Sequence, residues 1–185
     1  MVARTSFPFL SYLLVVYASY GNMKPSSAPY KMIISNIETC DVTASNPSQP
    51  VITSKNVDSE GHKSFSLKGD LNEEFNENTQ YIFQVDKFTN GEWNENVYSE
   101  DGKIGDVIRT YVDRSWKRLK KHFANMVENY CDVKKGHYEI VDYQVPKEEV
   151  NFPPMYGSLK ATLSLLNDKD EVFLCVRGYL EVTEH

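Results

Sequence analysis

The side chains that could do chemistry are few and scattered along the 185-residue chain. The histidines are His62, His122, His137 and His185. None has a second histidine or a cysteine at the spacing of a metal site. Two pairs of adjacent glutamates occur at 73–74 and 148–149, but neighbours on a strand point to opposite faces, which is poor geometry for a catalytic pair. With no nucleophile elbow, zinc-binding helix or Cys-x-x-Cys motif, the sequence predicts a protein that is not an enzyme and holds no metal or cofactor.

The three cysteines, Cys40, Cys131 and Cys175, are the other reactive groups. In an oxidising compartment, an odd number predicts one disulfide and one remaining thiol, or a bridge to a second chain. The sequence allows three pairings, and a dimer linked through Cys131 is one of the possibilities.

The N-terminus places the protein in such a compartment. Arg4 precedes an apolar run from Phe7 to Tyr17, and small residues follow up to Gly21. This layout is typical of a secretory signal peptide, predicted over 1–21 and followed by one domain over 22–185. The signal peptide predicts a secreted, extracellular protein. Apolar residues make up 41% of the chain, which is typical of a globular domain. The net charge of −6 predicts that the protein does not bind nucleic acid.

A long amphipathic helix is the most distinct predicted element. Between Gly105 and Cys131, apolar residues recur every three or four positions, and Asp106 stands where an N-cap belongs. The opposite face is basic, with Arg109, Arg114, Lys117, Arg118, Lys120 and Lys121. It is either an ordinary solvated face or a surface for peripheral contact with an anionic membrane.

Most other segments alternate with the period of a half-buried strand. Phe65, Leu67 and Leu71 share one face of their strand, and Tyr81, Phe83 and Val85 share one face of the next. Asn90-Gly91 predicts a tight hairpin turn, and Leu159, Ala161, Leu163 and Leu165 mark a late strand. About eight short strands predict a β-sandwich or β-cup. The pattern does not separate a filled core from one that holds an apolar ligand.

The C-terminal half carries a more specific set of motifs. They are Cys131, Lys135, Gly136, Tyr138, Val145-Pro146, the apolar loop Pro153–Gly157, and Cys175 in the last hairpin. Upstream, Cys40 and the strand SFSLKGDL also match. Together they resemble the ganglioside-activator-like proteins of the ML lipid-recognition superfamily. A basic helix where the activator is rich in cysteine favours the insect chemosensory CheA-type branch.

The resemblance implies a mainly β, immunoglobulin-like β-sandwich or β-cup with an apolar interior and the long helix over its mouth. It also implies a Cys40–Cys175 disulfide and a non-enzymatic carrier for a lipid, fatty acid or pheromone-like compound. The expected ligand contacts are Phe65, Leu67, Tyr81, Phe83, Leu163 and Phe173 in the walls, Trp116, Leu119 and Phe123 in a lid, and Met155 and Tyr156 at the rim. For Met155 and Tyr156 the alternative is packing under the helix. The alternative function is a secreted interaction or signalling protein that acts through its surface without a ligand.

Overall fold

A computed structural model describes residues 30–122, 127–144 and 155–184, in which β-strands predominate. One antiparallel sheet has the strand order β1-β10-β9-β4-β5. Its strands are β1 (Tyr30–Thr39), β4 (Gln80–Thr89), β5 (Glu92–Lys103), β9 (Gly157–Leu166) and β10 (Val172–Glu184). The predicted alternation is confirmed in β4, where Tyr81 and Val85 are both 2% exposed. The predicted hairpin is confirmed as well, with positive φ angles of 56° at Asn90 and 89° at Gly91.

The second sheet has the order β2-β3-β8, made of β2 (Val51–Asn56), β3 (Lys63–Leu71) and β8 (Gly136–Tyr143). A short ladder joins β6 (Val127–Glu128) to β7 (Asp132–Val133). Strand β2 was not predicted from the sequence, because this edge strand is almost wholly exposed and shows no apolar face. Side chains of both sheets meet in one buried cluster that includes Leu71, Tyr138 and Leu165. The two sheets therefore form a sandwich.

The prediction of one long helix is wrong. The segment forms two short helices, α1 (Ile104–Tyr111) and α2 (Asp113–Leu119), followed by a single 3-10 turn at Lys120–His122. Val112 separates the helices with a non-helical φ of −134° and ψ of 21°. Asp113 then starts α2, and its carboxylate accepts hydrogen bonds of 2.7 Å from both Tyr130 Oη–H and Lys117 Nζ–H. The apolar periodicity therefore continues across a break in the helical backbone at Val112.

Helix α1 also begins earlier than Asp106. The N–H groups of Ile104 and Gly105 donate to the carbonyls of Thr79 (2.9 Å) and Glu77 (3.0 Å), so a neighbouring loop supplies acceptors that a capping side chain would otherwise provide. Gly105 permits this approach, because a Cβ atom there would lie 2.6 Å from Glu77 Cβ. Asp106 lies in the first turn instead.

The disulfide expected from the resemblance is confirmed. Cys40 and Cys175 are bonded across 135 residues, with Cα atoms 5.1 Å apart. The bond links the residue after β1 to the middle of β10, which fixes the edge of the larger sheet. Throughout the described ranges, no helix combines the length and apolar character needed to cross a bilayer.

Candidate functional site: an apolar hollow between the sheets

A hollow of about 180 Å³ lies between the two sheets. Its lining combines side chains of both sheets, of helix α2 and of the loops beside them. The lining residues are Ser48, Pro50, Leu67, Gly69, Asp70, Leu71, Phe75, Trp116, Leu119, Val133, Tyr138, Ile140, Leu174 and Val176. Most of these are aliphatic or aromatic, so the hollow is an apolar environment.

The walls follow from strand parity. On one side, Leu67 of β3 is paired with Ile140 of β8, so the two side chains share a face. On the other side, Leu174 and Val176 of β10 are paired with Leu165 and Leu163 of β9. Leu67 and Ile140 thus form one wall, and Leu174 and Val176 form the other, with Leu163 and Leu165 paired behind them outside the lining.

The loop before β2 closes one part of the wall. A Cβ atom at Gly69 would lie 2.7 Å from Pro50 Cα, so only glycine lets the loop lie this close to β3. Ser48 is 1% exposed, and its hydroxyl oxygen accepts a 2.9 Å hydrogen bond from the N–H of Asn72. This buried hydroxyl is thus already paired within the protein.

The two large aromatic residues of the lining also pair their polar atoms with the backbone. Trp116 Nε1–H donates to the carbonyl of Tyr130 at 2.8 Å, and Tyr138 Oη–H donates to the carbonyl of Lys134 at 2.6 Å. Burial raises the pKa of Tyr138, so its phenol stays neutral. These bonds orient both rings and leave their carbon surfaces to line the hollow.

The size of the hollow limits what can fit. At about 180 Å³ it is slightly larger than the roughly 150 Å³ apolar cavity that stays dry and binds benzene. It is smaller than the roughly 300–1,000 Å³ of pockets for drug-sized ligands. A small ring or a short alkyl chain matches this volume, whereas a whole long-chain lipid exceeds it.

Three of the expected contact residues, Leu67, Trp116 and Leu119, line the hollow. The other expected wall residues are buried or half-buried beside it without lining it: Phe65, Tyr81, Phe83, Leu163 and Phe173. Phe173 is 1% exposed, but β10 presents the alternate residues Leu174 and Val176 to the hollow. Phe173 falls at a register irregularity between Val172 and Leu174, and both it and Leu174 belong to the same apolar cluster.

The rim residues lie elsewhere. Met155 and Tyr156 are half-buried and pack against a second apolar cluster formed by Val85, Leu159 and Val182. They neither line the hollow nor join the cluster that contains the helices. Phe123, Glu148-Glu149 and the loop up to Pro154 lie outside the described residues, as does the predicted signal peptide.

Sequence reasoning missed several lining residues. Tyr138 and Ile140 alternate with polar neighbours in β8, so strand periodicity could have identified them. Leu174 and Val176 required the correct parity of a strand that is apolar on both faces. Phe75 lies outside the named strands and Val133 belongs to the two-residue strand β7; the isolated bridge between them follows from no local pattern in the sequence.

The basic side chains of the helices mostly bind within the protein. Arg109 pairs with Glu77, Arg118 donates to the carbonyl of Gln144, and Lys120 donates to the carbonyl of Asn129 at 2.7 Å. Arg109 and Arg118 also lie over the rings of Tyr130 and Tyr143, at 5.2 and 5.1 Å from the ring centroids. These contacts explain the basic residues by internal packing, and membrane contact stays a prediction.

The burial of Cys131 gives no support to the predicted disulfide-linked dimer. The residue is 1% exposed, and the disulfide of the described residues is intramolecular. Burial, reinforced by the charges of Asp132 and Glu77, raises the pKa of the Cys131 thiol to about 11. The thiol is therefore protonated at neutral pH and inaccessible to a second chain.

Comparison with known proteins leaves the family open. No protein-family model matches the chain, and no curated protein is detectably similar. Among solved structures, chicken MD-1 complexed with lipid IVa is similar, with 12% sequence identity and a TM-score of 0.35. The similarity covers 84% of this chain and 98% of that chain. With a TM-score this low, it defines neither the fold nor the ligand of this protein, and both are inferred from its own residues.

Proposed function

We propose that the protein is a non-enzymatic carrier that holds a small hydrophobic molecule in the hollow between its sheets. The observation behind this is the apolar lining, drawn from Leu67 and Ile140 on one side and Leu174 and Val176 on the other. Transfer of apolar ligand surface from water drives the binding. Because the lining is apolar, the hollow would select ligands by their size rather than by their functional groups.

The volume narrows the ligand class. A ligand of about six to eight carbons gains roughly 5–6 kcal/mol at about 0.8 kcal/mol per methylene, before ordering costs. That sum corresponds to a dissociation constant no tighter than roughly 40 μM. This class is narrower than the lipids, fatty acids and pheromone-like compounds expected from the sequence, since a longer chain exceeds the volume of the hollow.

Secretion is part of the same proposal. The Cys40–Cys175 disulfide is typical of proteins that fold in an oxidising compartment. In this proposal the predicted signal peptide over residues 1–21 is removed on export. A role in insect chemosensation is a finer part of this proposal, based on the sequence resemblance. Identification of the natural ligand would test it.

A chain-length series tests the proposal. Primary alcohols from four to twelve carbons are titrated while the thermal unfolding midpoint is measured. We expect stabilisation to increase up to about six to eight carbons and then to fall, because longer chains no longer fit. A monotonic rise with chain length would instead indicate adsorption to the surface and would contradict the proposal.

A filled hollow provides the matched variant. Val176→Phe places a ring in the hollow, and we expect it to reduce hexanol binding at least tenfold while the fold is retained. The control is Val141→Phe, the same substitution at a residue that is 59% exposed and adjacent in sequence to the lining residue Ile140. Equal binding by both variants would place the ligand elsewhere.

A further inference from the structure

A half-buried carboxylate, Glu100, lies on the inner face of the larger sheet, away from the hollow. It belongs to β5, the edge strand, and is paired with Phe83 of β4. The neighbouring pairs on the same face are Val85 with Tyr98 and Tyr81 with Gly102. The pairing thus collects one carboxylate and three aromatic rings at an edge of the sandwich.

Hydroxyl groups surround this carboxylate. Tyr98 Oη–H donates to Glu100 Oε2 at 2.5 Å. Burial first, and then the nearby Glu100 carboxylate, raise the pKa of Tyr81, whose ring lies in the next cross-strand pair. Burial and the charge of Glu100 also raise the pKa of Tyr111, at the end of α1. The rings of Phe83 and Tyr98 pack edge to face with centroids 6.2 Å apart. The cluster is therefore an anionic group walled by aromatic rings.

The negative charge of Glu100 is not neutralised by a positively charged side chain within this cluster. Burial first, and then the nearby Glu100 carboxylate, raise the pKa values of Tyr81 and Tyr98, so both phenols are neutral donors. No lysine, arginine or histidine of the described residues forms an ion pair with Glu100. A partly desolvated carboxylate bonded by neutral hydroxyls gains from a nearby cation.

We propose that Glu100 with Tyr81, Tyr98, Tyr111 and Phe83 forms a binding site for a small organic cation, such as an alkylammonium or quaternary ammonium group. Aromatic rings attract such weakly hydrated cations through their π-faces, and the carboxylate supplies the opposite charge. A metal ion suits the cluster less well, because neutral phenols are poor ligands and the described residues contain no group of three metal-ligating side chains.

None of the five residues of this site lines the hollow, although Tyr81, Phe83 and Tyr111 pack in the same buried cluster as Trp116. Glu100, Tyr98, Tyr111 and Phe83 are half-buried, and β5 lies at the edge of its sheet. Its test can therefore fail or succeed separately from the carrier function.

Choline and its neutral isostere 3,3-dimethylbutan-1-ol distinguish charge from shape. Titration of the wild-type protein, followed by two-dimensional NMR, should show choline binding at least tenfold more tightly than the neutral alcohol, with shifts at Tyr98 and Glu100. Glu100→Gln should abolish that preference. Glu95→Gln, the same chemical change at an exposed residue of the same strand, should keep it.

Equal affinity for the two compounds in the wild-type protein would overturn the proposal, and this comparison needs no variant to fold. If Glu100→Gln still bound choline more tightly than the neutral alcohol, the proposal would be overturned as well, because a carboxylate other than Glu100 would then attract the cation. Val176→Phe, which fills the hollow, should leave choline binding unchanged. Loss of choline binding in that variant would contradict the independence of the two sites.

Discussion

At the scale of single residues, Cys131 shows how burial controls a reactive group. Its raised pKa of about 11, against an ordinary 9.0, lowers the thiolate fraction near pH 8 about 100-fold. We expect iodoacetamide to modify the native protein slowly at this thiol and the urea-unfolded protein rapidly. A disulfide-linked dimer on a non-reducing gel, or rapid modification of the native protein, would contradict the observed burial.

Asp86 gives a prediction about pH. Burial raises its pKa, but hydrogen bonds from Lys160 (2.8 Å) and from the N–H of Asn96 (2.8 Å) outweigh that effect, so the net pKa lies below the ordinary 3.8. A depressed pKa means that the folded state binds fewer protons than the unfolded state in the interval between the two values. The stabilisation is thus complete above about pH 5 and is lost as the pH falls through that interval.

Asp86→Asn should therefore lower the free energy of unfolding by about 1–3 kcal/mol at pH 7, and the difference from wild type should shrink below pH 4. Urea unfolding at several pH values measures this. The control is Glu139→Gln, which removes an exposed partner 3.4 Å from Lys68 and should change stability by less than about 1 kcal/mol. A constant Asp86→Asn effect from pH 7 to pH 3 would refute the assignment.

At the scale of elements, the start of helix α1 depends on one close approach. Gly105→Ala would place a methyl group 2.8 Å from the carbonyl oxygen of Glu77, the atom that accepts the Gly105 N–H. We expect a loss of about 1–3 kcal/mol in the free energy of unfolding, because the loop must move and the first turn loses its acceptor.

Gly178→Ala provides the matched control for this change. The nearest atom to a Cβ at Gly178 is Leu180 Cδ1 at 4.0 Å, an ordinary contact, so alanine should be tolerated there. Urea unfolding of both variants makes the comparison. If Gly105→Ala were as stable as Gly178→Ala, the loop would not be what positions helix α1.

Elements with one clear apolar face could be predicted from the sequence, and those fixed by tertiary contacts could not. Tyr81, Phe83 and Val85 are alternate residues, and only a strand places alternate side chains on one face, so β4 was predicted correctly. Val112 fits the helical periodicity equally well, yet the helix ends there and Asp113 begins another with partners far along the chain. β10 is apolar at consecutive positions from Val172 to Val176, so periodicity alone could not decide which residues face inward.

At the scale of the whole molecule, the proposed carrier function depends on two sheets that stand apart where Leu67 and Ile140 face Leu174 and Val176. The disulfide fixes one wall, since Cys175 lies between Leu174 and Val176 on β10. Gly69 and Pro50 hold a loop against the other wall. In the proposed carrier, an apolar hollow of about 180 Å³ would select ligands by size, which is why the chain-length series should show a maximum.

The most direct test is a crystal structure of the protein soaked with 1-bromohexane, with anomalous diffraction used to locate the bromine. We predict a bromine peak inside the hollow, between Leu67 and Val176, and no such peak in Val176→Phe crystals treated in the same way. A hollow closed by side chains, or bromine bound only on the outer surface, would contradict the carrier function.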